Sequence, residues 1–158
     1  MQTTIFNGFE LRAAVTPYTG GGYMHATDDR TPVTFITRYY LDKIKRLCDA
    51  HGTKLLFVTA PSPVNHTMQR HNEVQALADA LAVPYLDLNL NTEELGIDWN
   101  LDTLDGGDHL NYTGCQKATA YLQWYMQTHY TLPDRRDDVR YEAWNKQAEE
   151  FEKLLPQP

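Results

Sequence analysis

The sequence predicts an α/β fold built on a parallel sheet. Two short apolar runs alternate with amphipathic helical segments, in the order helix, strand, helix, strand, helix. The first run, Lys54-Leu55-Leu56-Phe57-Val58-Thr59-Ala60, is nearly continuous and stops at Pro61, as a strand covered on both faces does. The second, Val83-Pro84-Tyr85-Leu86-Asp87-Leu88, follows a helical segment that can serve as a right-handed crossover between parallel strands.

Taken in order, residues 1–33 form a poorly defined N-terminal segment. Thr3 to Val15 mixes β-branched and apolar residues and suits one or two short strands. Gly20-Gly21-Gly22 interrupts the chain, and Asp28 to Pro32 reads as a turn. A helix is expected over 34–50, with Ile36, Tyr40, Ile44, Leu47 and Cys48 at helical spacing. Asp42, Lys43, Lys45 and Arg46 fill its other face, and Gly52 stands where a C-terminal cap belongs. After the first strand, the loop Pro61 to His66 leads to a helix over 69–82 whose inner face is Val74, Leu77, Ala78 and Leu81. Beyond the second strand, a long loop over 89–107 leads to a third helix opening near Asn111 or Thr113. Thr113 with Gln116 fits a capping box, and Cys115, Ala118, Leu122, Tyr125 and Met126 form the apolar stripe. Leu132-Pro133-Asp134 breaks that helix. A last amphipathic helix over 137–155 carries Tyr141, Trp144, Ala148, Phe151 and Leu155 on one face. The α/β domain is thus expected over 34–130, with residues 131–158 packing on it as a C-terminal helix.

A chain of 158 residues, 42% hydrophobic and 22% charged, suits one core. The net charge of -7 and the lack of a basic patch argue against a nucleic-acid partner. No apolar stretch approaches the roughly 20 residues of a membrane span, and no secretory signal is legible. As written, the chain is expected to be cytoplasmic. Cys48 and Cys115 sit at apolar helical positions and read as buried free thiols. Tyr39, Tyr40, Tyr112, Tyr121, Trp124 and Tyr125 also lie in helical patterns and read as core and half-buried surface.

The chemistry concentrates in Asp105-Gly106-Gly107-Asp108-His109-Leu110-Asn111. A histidine beside a carboxylate is the base-and-orienter pair of hydrolytic chemistry. His109 is the candidate base; the bland alternative is a histidine that caps the loop or the next helix. Ser62 is the only serine and so the candidate nucleophile. Prolines on both sides fix its backbone, and the alternative is a loop serine bonded to nearby backbone. Parallel sheets place ligands at the carboxyl ends of their strands, so the Ser62, Asn89–Trp99 and His109 loops are expected on one edge. Asn65, Trp99 and Asn111 are the candidate substrate contacts. His66 and His71 are five apart, which suits neither a helix nor a strand pair of ligands. With Asp87 they could in principle make a metal site, but the spacing argues against it. No metal or other cofactor is expected.

Lys54 to Pro63, Val83 to Leu88 and the block D-G-G-D-H-L-N-Y-T-G at Asp105 to Gly114 together resemble the C-terminal part of the SGNH (GDSL-like) hydrolases. The last block is similar to the bacterial branch with an HLN-x-x-G signature, related to O-acyl transfer and esterase proteins of cell-surface polymers. The resemblance implies a flavodoxin-like three-layer α/β/α fold and serine-dependent ester hydrolysis or acyl transfer without a metal. The substrate class would be an acylated carbohydrate or a small ester. His109 matches the family base. The family aspartate stands two or three residues before it, where this chain has Gly107 and Gly106, so Asp105 and Asp108 both remain candidates for orienting it. The Gly-Asp-Ser-like nucleophile block has no counterpart here, and relatives are often exported or membrane-anchored. The fold is therefore expected to be incomplete, a truncated SGNH domain. Its sheet would need strands from residues 1–33, a partner chain or a second copy. The alternative to an enzyme is a non-catalytic remnant or a partner-completed binding module.

Overall fold

A computed structural model of the chain describes residues 5, 6 and 8–155. The elements run β1 (Ile5–Phe6), β2 (Phe9–Glu10), α1 (Phe35–Ala50), β3 (Phe57–Thr59), α2 (Met68–Leu81), β4 (Tyr85–Asp87), α3 (Tyr112–His129) and α4 (Glu142–Glu152). Single 3-10 turns at Leu88–Leu90 and Val139–Tyr141 follow β4 and precede α4. The chain divides into two compact units, one of Ala13–Thr119 and one of the described residues of Met1–Arg12 and Ala120–Pro158.

The larger unit is the mixed helix-and-strand part. β3 and β4 pair in parallel, with Phe57 opposite Tyr85 and Thr59 opposite Asp87. α2 is their crossover. It starts because the Thr67 side chain accepts the Arg70 amide, and it ends at Ala82, whose left-handed backbone (φ 50°) lets the Val83 amide reach Ala78 O at 2.9 Å. Its inner face buries Leu77 and Ala78 as the periodicity predicts, and Glu73 as well. A buried carboxylate needs partners. Glu73 finds them in the Arg38 guanidinium and the Val33 amide, which ties α2 to the start of α1.

Two expectations differ from the structure here. The apolar stripe of α1 is at the surface: Ile36 is 66% exposed, Tyr40 59% and Leu47 61%. Periodicity says which side chains share a face; it does not say that anything covers that face. Tyr39 and Trp124, read as core or half-buried, are likewise exposed. The second difference lies at the start of α3. Asn111, not Thr113, caps the helix, its Oδ1 accepting the Gly114 amide at 3.1 Å. The Thr113 hydroxyl instead donates to Asp102 Oδ1 at 2.9 Å and to Asn111 Oδ1 at 2.8 Å.

The N-terminal strands form, but not as an extension of the parallel sheet. β1 and β2 make their own antiparallel pair, Ile5 opposite Glu10 and Phe6 opposite Phe9. Among the described residues, β3 therefore has β4 as its single strand neighbour. In that smaller unit Phe9 packs edge-on against Phe151 of α4, ring centres 5.5 Å apart. Among the described residues no helix is long and apolar enough to cross a membrane.

Candidate active site

The His109 loop is a small hairpin. Thr103 and Leu110 form an antiparallel bridge, the Leu104 amide donates to His109 O at 2.9 Å, and the Asn111 amide to Asp102 O at 3.0 Å. The turn falls on Gly106 and Gly107, at φ 77° and 103°, where side-chain-bearing residues are strained. The buried Thr103 hydroxyl accepts the Gly107 amide at 2.6 Å and fixes the turn. This curvature brings Asp105 back under His109. Asp105 Oδ1 accepts the His109 amide at 2.8 Å, and Oδ2 stands 2.7 Å from His109 Nδ1. Asp108 is more distant at 3.7 Å. Asp105 is thus the aspartate that holds the ring, four residues before it rather than two or three.

The His109 side chain is 68% exposed. The Asp105 hydrogen bond pushes the imidazole above its ordinary value, against a small opposing effect of burial, and Asp108 adds to it. Asp105 is held low: slight burial pushes it up, but the His109 amide and ring outweigh that. A ring titration followed by NMR is therefore expected to give a His109 midpoint above the usual value of about 6.5. Asp105→Asn should bring it down, and Asp108→Asn should move it less. The sign for stability follows from the raised value. This pair helps the fold below the ordinary histidine range, and the help is lost as pH rises through the raised midpoint.

The loop after β3 docks on this hairpin, as strand topology predicts. The Ser62 hydroxyl donates to Asp108 O at 2.9 Å and Gly107 O at 3.3 Å, and accepts the Asn65 amide at 3.3 Å. The Asn65 side-chain amide donates to Asp108 Oδ1. Ser62 and Asn65 thus meet the residue next to His109, and the serine hydroxyl is directed to backbone carbonyls. Asn111 is buried, and both ends of its amide serve the fold: Nδ2 donates to Leu101 O at 2.7 Å while Oδ1 caps α3.

Trp99 is half-buried against Tyr18 and Tyr23, with edge-on ring centres 6.2 and 6.0 Å away. The three rings wall a cleft of about 490 Å³ whose other side is Gly20–Gly22, Met24, His25, Asn89 and Thr92. Tyr18 is shared with the His109 hairpin: a Cβ built on Gly107 would stand 2.8 Å from its ring. Residues 13–33, illegible as regular structure, hold this arrangement together. The Thr16 amide donates to Thr103 O at 3.0 Å, the Tyr18 amide to Trp99 O at 2.9 Å, and the Gly106 amide to Thr16 O at 3.0 Å.

Comparison with protein-family models, with curated proteins and with solved structures finds no match to this chain.

Beneath the loops lies a buried polar network that unites His66, His71 and Asp87, grouped in the sequence but set aside on spacing, and adds Asn89 and Tyr23 to them. Asp87 Oδ2 receives His66 Nε2 and His71 Nδ1, each at 2.8 Å. Asp87 Oδ1 accepts the Asn89 amide at 3.0 Å and its side-chain Nδ2 at 2.8 Å. Asn89 Oδ1 in turn accepts the Ser62 amide at 2.9 Å and the Tyr23 hydroxyl at 3.0 Å. Burial pushes the Asp87 carboxyl up, but the hydrogen bonds from His66 and Asn89 outweigh it and hold it well below the carboxylate range. Asn89 touches the Ser62 loop, β4 and the aromatic cleft together; its only sequence signal was its place just after a strand.

Proposed function

We propose that this chain is an SGNH-type ester hydrolase or O-acyltransferase-like protein in which His109 is the general base and Asp105 orients it. The observation that carries this reading is the 2.7 Å contact between Asp105 Oδ2 and His109 Nδ1 on a solvent-facing loop. With Nδ1–H given to Asp105, Nε2 presents its lone pair to solvent and can take a proton from a nucleophilic hydroxyl. As that oxygen attacks an ester carbonyl, the imidazolium keeps the proton until the leaving alkoxide takes it. The aromatic cleft behind Tyr18 suits an acylated carbohydrate or a small ester. In this reading the two parallel strands are part of a flavodoxin-like three-layer sheet, and the chain uses no resident cofactor for the hydrolysis.

The nucleophile is Ser62 once its hydroxyl turns from the Asp108 carbonyl, or a hydroxyl brought by a second chain. The second possibility has its own observation. Val58 on β3 is 42% exposed and the α1 stripe is uncovered, as in a sheet that a partner or a second copy completes. A non-catalytic, partner-completed module is the alternative reading on the same ground.

Hydrolysis of p-nitrophenyl acetate tests the proposal. His109→Ala is expected to lower kcat/KM about 10²- to 10⁴-fold, and equal rates would remove the reading. The wild-type rate should rise with pH through a midpoint above the ordinary histidine value, because the neutral ring is the active form. Asp105→Asn should shift that limb to lower pH and lower the plateau. Light scattering that shows a well-behaved monomer would count against the partner-completed alternative.

A further inference from the structure

We propose that His66 Nε2, His71 Nδ1 and Asp87 Oδ2 form a binding site for one divalent transition-metal ion of the zinc class. Three side chains from three parts of the chain converge there: the loop after β3, the first turn of α2 and the end of β4. Their ligand atoms lie within 4.8 Å of one another. Two imidazoles and one carboxylate are a donor set that zinc and its neighbours bind well, and three protein ligands leave a fourth position for water.

The geometry is close to what an ion requires. Zinc bonds of about 2.0–2.1 Å at tetrahedral angles put ligand atoms about 3.3 Å apart. Both nitrogens now stand 2.8 Å from the carboxylate oxygen, so each contact has to open by only about half an ångström. To ligate, each ring must present the lone pair of its inward nitrogen, which requires its proton to sit on the far nitrogen.

The surroundings are those of an oriented site. Asp87 and His66 are 4% and 6% exposed, so neither is a loose surface donor. The second carboxylate oxygen is held by Asn89, as carboxylate ligands commonly are by an outer partner. The Tyr85 ring stacks on His71, with ring centres 5.5 Å apart, and limits its rotation. The His71 side chain is 15% exposed and marks the way in. An ion bound here would cross-link the Ser62 loop, α2 and β4. The inference does not rest on the hydrolytic reading, which calls on no ion.

Cobalt titration of the metal-stripped full chain, read by visible absorption and calorimetry, tests it. One equivalent of Co²⁺ is expected to bind at micromolar concentration with the intense bands of a four- or five-coordinate ion. Excess Zn²⁺ should raise the thermal midpoint by about 5 °C or more. His71→Gln and His66→Gln should each weaken binding at least tenfold. His109→Ala should leave it unchanged, which separates this site from the exposed Asp105, Asp108 and His109 cluster. X-ray absorption of the zinc-loaded wild type should show two imidazoles and oxygen at about 2.0–2.1 Å, and it decides the matter even if the variants fold poorly. No binding at millimolar Co²⁺, or loss of binding in His109→Ala with His71→Gln unaffected, or a spectrum without an imidazole pair, would overturn the proposal.

Discussion

Asp102→Ala is expected to destabilise the protein by about 2–4 kcal/mol and lower its thermal midpoint by about 5–10 °C. Asp102 is 1% exposed and lies at the root of the His109 hairpin. Its Oδ2 accepts the Asp98 amide at 2.7 Å and Lys117 Nζ at 2.5 Å, and its Oδ1 accepts the Thr113 hydroxyl at 2.9 Å. Alanine would leave all three donors without this acceptor. The lysine side chain is 38% exposed, so water can resolvate its ammonium, and the cost falls short of that of a fully buried pair. The half-buried Asp98 amide has less recourse, whereas the exposed Thr113 hydroxyl keeps Asn111 Oδ1 at 2.8 Å as a second acceptor. Burial pushes the Asp102 carboxyl up, but Lys117, the Asp98 amide and Thr113 outweigh it and hold it low. A depressed carboxyl stabilises the fold above its unfolded value of about 3.8, and this help is lost as pH falls through the folded value. Urea denaturation at neutral pH and near pH 3 checks both statements. A midpoint unchanged by the substitution at neutral pH would show that the hairpin does not depend on this carboxylate.

What the sequence made legible was local. Helical and strand periods located α1, β3, α2, β4 and α3 to within a few residues, and the ends of β3 and β4 placed Ser62 and His109 loops together. The choice between Asp105 and Asp108 was not legible, because it depends on the curvature that Gly106 and Gly107 give the turn. Spacing rules look for a carboxylate two or three residues away and miss one that a tight hairpin folds back from four. The same limit made spacing argue against the His66, His71 and Asp87 cluster, which the structure brings together. Five residues apart is a poor spacing on one element, but these histidines are on two: His66 ends a loop and His71 starts the helix after Thr67. Sequence periodicity also could not show that α1 has an uncovered apolar face, because a missing neighbour leaves no trace in the pattern. The extended segment 13–33 was opaque for a different reason. Its order comes from hydrogen bonds to Trp99, Thr103 and Gly106, not from any regularity of its own.

Gly114→Ala should destabilise the protein by about 1–3 kcal/mol or more, although alanine is the better helix former by roughly 1 kcal/mol. The sign is reversed by one contact. A Cβ at Gly114 would stand 2.4 Å from the Asp102 carbonyl oxygen and 3.1 Å from both Asp102 Cβ and Leu110 Cβ. A backbone carbonyl has no rotamer with which to escape, and this one already accepts the Asn111 amide at 3.0 Å. Relief of the clash must push α3 away from the strand that leads into the hairpin. The Asn111 cap, the Asp102–Thr113 bond and the Thr103–Leu110 bridge would loosen together, and with them the turn that sets Asp105 under His109. In H-L-N-Y-T-G, then, buried Asn111 and Gly114 are the residues that let a helix start against a hairpin, while the His109 ring faces solvent. Gln116→Ala, at an exposed position of the same helix, is the control and should be neutral within about 0.5 kcal/mol. Thermal or urea unfolding of the two variants compares them directly, and the His109 ring titration adds a second measure. If Gly114→Ala is as stable as wild type, the close approach to Asp102 is not a constraint. If it is destabilised and its His109 midpoint falls toward the ordinary value, packing at Gly114 and the geometry of the Asp105–His109 pair are linked through the same hairpin.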